Sequence, residues 1–311
     1  MRSRRGCLSW SRVLWLFLLL VLSAGCSKKP FTVVLLPDTQ NYSEKYPDTY
    51  MAQTSWIRSQ AKEKNIRFVI HLGDIVQTAS KRSEWMVADK AQRTLEGSVP
   101  YSLAVGNHDM EHQGDRLTRK TTLYDETFPP SRFEPYSWYG GHQGQNNANN
   151  YCFFCGGRQD FMVISLEFAP SDAAIAWAHD IVKEHGDCQV ILATHYYMRP
   201  EGRVNEKKPY GLEGAGPQEL WERFVTQHPN IFMVVSGHVL GVQHQTSLND
   251  AGKPVHEILC DYQGEANGGD GWLQTLRFVP KEKKIYVEAY SPTLNRTNSP
   301  PPHTYALPWE R

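Results

Sequence analysis

Gly106-Asn107-His108-Asp109 closes the apolar run Tyr101-Ser102-Leu103-Ala104-Val105. Such a run, bounded by turn residues, reads as a buried strand. The turn that follows needs a glycine and tolerates Asn and Asp, but it has no use for a histidine between them. The four residues set an amide oxygen, an imidazole and a carboxylate at one strand end. Four other apolar strands end in a similar way. Residues 31–36 lead to Asp38 and Gln40, 67–72 to Gly73-Asp74, 189–194 to His195, and 231–236 to Gly237-His238. Sites in α/β sheets gather at the carboxyl ends of strands. One polar ending is ordinary turn chemistry; five, two of them single histidines directly after a strand, are not. Oxygen donors mixed with imidazole suit Mn, Fe, Zn or Ni better than they suit an all-thiolate structural site.

The segments between these strands carry helical patterns. The spacing predicts helices over 49–64 and 82–95, one capped by Ser171 and running to 184, and one opened by Pro217 and running to 227. Apolar strands alternating with amphipathic helices mark an α/β fold. Past residue 240 the pattern becomes antiparallel: 242–248 pairs with 255–260 across Asn249-Asp250-Ala251-Gly252, and 272–279 pairs with 285–290. Residues 110–150, rich in Gly, Asn, Gln and aromatics, read as an insertion over the strand ends that shapes a substrate pocket. The domain spans 31–290, and 291–311 read as a surface tail.

The chain has 311 residues, 40% of them hydrophobic and 12% aromatic, enough for a sizeable core. Formal net charge is zero, but residues 1–25 hold Arg2, Arg4, Arg5 and Arg12 and no acid. Without them 33 − 4 = 29 bases face 33 acids, a net of −4. A slightly acidic body argues against a nucleic-acid surface. The run from Val13 to Leu22 after those arginines fits the apolar core of a secretory signal and is short for a membrane span. Leu22-Ser23-Ala24-Gly25-Cys26 is similar to a bacterial lipoprotein cleavage box, with Cys26 acylated; ordinary cleavage at the same small residues is the alternative. Residues 1–25 are thus a lipoprotein-type signal and 26–30 a tether. The expected location is the bacterial cell envelope, on the periplasmic or outer-surface side, through a lipid anchor. Cys152-Phe153-Phe154-Cys155 falls in a strand-like run. There the two thiols point to opposite faces roughly 10 Å apart, so a bond between them requires a turn.

The order Asp-x-Gln, Gly-Asp, Gly-Asn-His-Asp, Thr-His, Gly-His resembles the calcineurin-like metallophosphoesterases over about residues 31–290. The resemblance implies a four-layer fold, with two mixed β-sheets face to face and helices outside, and a two-metal site at the strand ends. Asp38 and Gln40 would hold the first ion, Asp74 would bridge, and Asn107, His195 and His238 would hold the second. His108 would be the catalytic acid, with Asp109 orienting it. The implied activity is phosphomonoester or phosphodiester hydrolysis. A water activated by both ions attacks phosphorus while His108 serves the leaving oxygen.

Two positions depart from the family pattern. Gln40 stands where a histidine is frequent, and Leu240 stands where Gly-His-x-His has its second histidine. An amide is a weaker donor than imidazole for most transition metals, so the first ion binds more weakly, fills its shell with water, or is a harder ion. Tyr42, Tyr139, Tyr196 and Asp261 are candidate substrate contacts, though packing is the ordinary role of such aromatics. His71 reads as a core histidine. A catalytically silent ligand-binding lipoprotein and a hydrolase of another ester are the competing readings. Retention of His108 speaks against the first, since a scaffold has no need of it.

Overall fold

Strand alternation builds this molecule. The computed structural model describes residues 29–207, 209–298 and 301–309. The signal segment and Cys26 lie outside the described residues. Fourteen strands form two large sheets: β1 (Phe31–Leu36), β2 (Ile66–His71), β3 (Tyr101–Leu103), β4 (Tyr139–His142), β5 (Asn150–Gly156), β6 (Gln159–Leu166), β7 (Gln189–Thr194), β8 (Ile231–Ser236), β9 (Gly241–Leu248), β10 (Pro254–Asp261), β11 (Leu273–Val279), β12 (Lys284–Ser291), β13 (Arg296–Asn298) and β14 (Thr304–Pro308). The first sheet runs β13-β12-β11-β1-β2-β3, with β14 also on β12; the second runs β9-β10-β8-β7-β6-β5-β4. β1, β2 and β3 are parallel to one another, as are β6, β7, β8 and β10.

Side chains two apart share a face, so β1 feeds two cores at once. Val33 and Leu35 point into the space between the sheets with Phe68, Ile70, Val163, Ile191, Met233 and Val235. Val34 and Leu36 face the helices α1 (Gln40–Glu44), α2 (Pro47–Gln60) and α3 (Arg82–Arg93) with Tyr50, Ile57 and Trp85. The second sheet packs Met162, Ile164, Val190 and Val234 on α5 (Asp172–Glu184) and α6 (Pro217–Arg223). The layers are helix, sheet, sheet, helix, as expected. Ser171 Oγ accepts from Ala174 N at 3.2 Å, so it caps α5 as read. Among the described residues no helix is long and apolar enough to cross a membrane.

One expectation needs correction. The C-terminal tail is not a surface tail. β13 and β14 extend the first sheet through β12, and Leu307 and Trp309 are buried between the sheets. Trp309 stands 5.1 Å from Phe278 and 6.0 Å from Phe31, centroid to centroid. Proline content concealed an apolar anchor. The 110–150 insertion joins the body of the domain, and its Arg119 bonds the Phe168 and Ala169 carbonyls. It buries Met110, Leu117, Tyr124, Phe128, Phe133 and Ala148 on the helix side of the first sheet, with α4 (Thr122–Thr127) beside α3. Its last part becomes β4, the edge of the second sheet. Cys152 is a free, buried thiol in an unbroken strand, so it is not bonded to Cys155.

Candidate metal centre

The parallel strands of both sheets end on one side of the molecule, and turns of strained geometry follow them. After β2 the chain passes through two left-handed residues, Gly73 (φ 101°) and Asp74 (φ 48°); after β8, His238 has φ 70°. Non-glycine residues held there cost about 1–3 kcal/mol each, a feature that clusters at functional sites. These turns and the end of β7 bring Asp74, His195 and His238 together, so that one ligand atom from each lies within 4.8 Å of the others. His195 Nε2 is 3.1 Å from Asp74 Oδ2 and 3.9 Å from Asp38 Oδ2, and His238 Nδ1 is 3.2 Å from His195 Nε2. His195 Nδ1 donates to the Leu72 carbonyl at 2.8 Å, which turns Nε2 toward the cluster.

The charge is unbalanced. Burial opposes a charge on His195, yet Asp74 and Asp38 raise its pKa to about 10. Burial raises Asp74 too, but His195 holds it down at about 2. Asp38 is raised by burial and by Asp261, and Asp261 is pushed up to about 6 mainly by burial. Burial and the neighbouring His195 lower His238 to about 3.

A direct fit test comes from the amides. Gln40 Oε1 and Asn107 Oδ1, both read as ligands, are buried with no hydrogen-bond partner. An orphaned buried oxygen costs about 1–3 kcal/mol. Asp74, His195 and His238 form the group that could hold a metal ion, and Asp38, Gln40 and Asn107 are the further ligands expected from the sequence.

His108 is half-buried. Its Nδ1 donates to the Gln77 carbonyl at 2.8 Å and its backbone N–H to Asp74 Oδ1 at 2.9 Å. Asp109 does not orient it, contrary to expectation. Asp109 Oδ1 accepts from Ile75 N (2.8 Å) and Val76 N (3.1 Å), and Oδ2 from Gly106 N (2.8 Å). That carboxylate ties the turn after β2 to the turn after β3. Gln77 was missed because a backbone carbonyl leaves no trace in sequence.

The weaker candidates divide. Tyr196, 5% exposed, lies 4.6 Å from the His238 ring and donates to Glu206, so it forms the wall of the site. Asp261 ends β10 beside Asp38 and is part of the site. Tyr42 is buried with its hydroxyl accepting from Gly271 N, and Tyr139 stacks on Phe133 and bonds Asn147; both are packing residues. His71 is buried and accepts from Gly73 N, as a core histidine. Leu240 is 57% exposed, and His244 stacks on Tyr305. Tyr210 was missed: its hydroxyl stands 3.4 Å from His238 Nε2.

A family model described as calcineurin-like phosphoesterase matches residues 31–241. The chain belongs to this family. It is 33% identical over 286 residues to the uncharacterized protein YvnB of Bacillus subtilis (strain 168), a match covering 90% of this chain and 21% of that protein. The chain therefore spans about one fifth of that relative's length. The fold is similar to purple acid phosphatase PPD1 of yellow lupin (Lupinus luteus), with a TM-score of 0.57 at 12% identity over 91% of this chain and 55% of that one. It is also similar to a dimetal phosphatase from Danio rerio, with a TM-score of 0.51 at 12% identity over 90% of this chain and 99% of that one. At such identities the likeness is one of fold, and it includes the paired mixed sheets.

Proposed function

We propose that this calcineurin-like phosphoesterase family member hydrolyses phosphoesters with two divalent ions at the shared strand ends. The observation that carries the reading is the cluster of Asp74, His195 and His238 with the unpartnered oxygens of Asn107 and Gln40 beside it. Such ions, when bound, acidify water and neutralise charge on phosphoryl oxygens. The chain's own residues do the rest. Asp109 locks the two turns that carry Asp74, Asn107 and His108. Gln77 fixes the His108 ring through Nδ1–H, so that Nε2, once it has taken a proton from solvent, hands it to the leaving oxygen. Tyr196 and Phe168 wall off His238.

The test is turnover of generic phosphomonoester and phosphodiester substrates by protein loaded with Mn, Fe, Co, Ni or Zn. Hydrolysis with phosphate release or diester cleavage supports the reading. Metal uptake without turnover by any of the loaded forms points to a binding protein. The signal and lipobox residues support an exported, lipid-anchored location. Cys26→Ser then releases the protein from the membrane fraction, and continued anchoring refutes that placement.

A further inference from the structure

Asp261 ends β10, the strand beside β8 in the second sheet, as Asp38 follows β1 in the first. Gln263 Nε2 lies 3.3 Å from Asp38 Oδ2 and 3.0 Å from Asp261 Oδ2. One neutral NH2 group therefore spans two carboxylates that are each 1% exposed. Asp38 also faces His195 at 3.9 Å and accepts from His238 N, but among the described residues the hydrogen bonds to the Asp261 carboxylate come from Gln263 alone, neutral donors that balance no buried charge. The Gln263 backbone N–H fixes Asp261 Oδ1 at 2.8 Å, so the carboxylate is positioned beforehand. The second observation is Gln40. It follows Asp38 by two residues, it is 6% exposed, and its side-chain oxygen has no partner.

We propose that Asp261 is a metal ligand, completing an all-oxygen cation site with Asp38, Gln40 and the shared Asp74. This rests on the two-ion reading and deepens it. The two sites then differ in kind. One has the imidazoles of His195 and His238 and takes a borderline transition ion such as Zn2+ or Co2+. The other offers carboxylate and amide oxygens alone and takes a hard ion such as Mn2+ or Mg2+. Gln263 Nε2 bridges the two carboxylates and must turn away for an ion to bind between them.

The test is calorimetric titration of the full chain with Mn2+ after the imidazole site has been filled with Zn2+. Wild type takes up one Zn2+ and then one Mn2+. In Asp261→Asn, an isosteric change, Mn2+ affinity falls at least tenfold while Zn2+ uptake stays within twofold, which also shows that the variant has folded. Mn2+ binding at wild-type affinity in Asp261→Asn overturns the assignment and leaves the two-ion reading standing. A wild-type chain that takes up only one ion of any kind sinks the two-ion reading itself. A second measurement needs no variant. Pulsed EPR of wild type with Mn2+ in the oxygen site shows no directly bound imidazole nitrogen; a strong 14N coupling overturns the assignment.

Discussion

Gly106→Ala adds one methyl group to a turn with no room for it. The added Cβ would sit 2.1 Å from Asp74 Oδ1 and 2.4 Å from the Asp74 backbone nitrogen. The carboxylate cannot swing aside freely, since Oδ1 accepts from His108 N and Oδ2 faces His195. Nor can the backbone move, because Asp109 pins the next two residues, Ile75 and Val76. Relief requires a shift on the order of 1 Å, and overpacking of this kind costs about 1–3 kcal/mol. A ligand displaced by that much costs on the order of a hundredfold in rate. The backbone itself objects to nothing: Gly106 has φ −93° and ψ 177°, open to any residue. That makes the sign diagnostic. Alanine for glycine at a permitted, uncrowded position stabilises by about 0.4–1 kcal/mol. Gly186→Ala, whose Cβ meets nothing nearer than 3.6 Å, is the control and should be neutral or stabilising. The assays are thermal unfolding of metal-free protein, calorimetric metal uptake, and turnover. If Gly106→Ala melts at or above wild type and binds metal normally, the close approach of the two turns is refuted.

His108→Ala is expected to keep metal uptake, lose about 1 kcal/mol of stability with the Gln77 bond, and lose about 10²–10⁴ in turnover; wild-type kcat would remove the acid role. Trp309→Ala removes a side chain that is 1% exposed and should cost about 3–5 kcal/mol in chemical denaturation, whereas a surface tail would lose almost nothing. His228 has its pKa lowered to about 4 by burial and the neighbouring His179. The unfolded chain binds that proton first, so stability falls as pH drops from about 6.5 to 4. His228→Gln should flatten that part of a stability-against-pH curve.

The strand ends were legible because each carries its own local signal: an apolar run followed by a polar residue that a turn does not require. Asp261, at the end of β10, carries the same signal, and the sequence suggested it as a substrate contact rather than as a ligand. The role of Asp109 was not legible, because its partners are backbone N–H groups of residues 34 and 33 positions away. Tyr42 sits in sequence beside Gln40 and Tyr139 in the insertion, yet their rings turn into packing, and sequence position does not report side-chain direction. The tail was misread for a related reason: Leu307 and Trp309 are few, and their burial depends on a β12 edge that lies far off in the chain. The layered architecture came through because period-two alternation and helical spacing are repeated in every unit.

The proposed ligands come from both sheets: Asp38, Asp74 and Asn107 follow strands of the first, and His195, His238 and Asp261 end or follow strands of the second. Ligand distances are therefore set by how the sheets face each other, and that facing is fixed by the core of Phe31, Phe68, Phe161 and Phe278. An ion held across the sheets must in turn oppose their separation. Ligand present at 100 times its dissociation constant adds about 2.7 kcal/mol to stability. A chain of this size gains about 2–4 °C in melting temperature per kcal/mol, so saturating metal should raise the transition by about 5–11 °C. Asp74→Asn, which weakens the residue between both sets of ligands, should abolish most of that rise. A metal-independent melting temperature in wild type would mean that the two sheets meet without the ions, and that the strand-end cluster does not hold them.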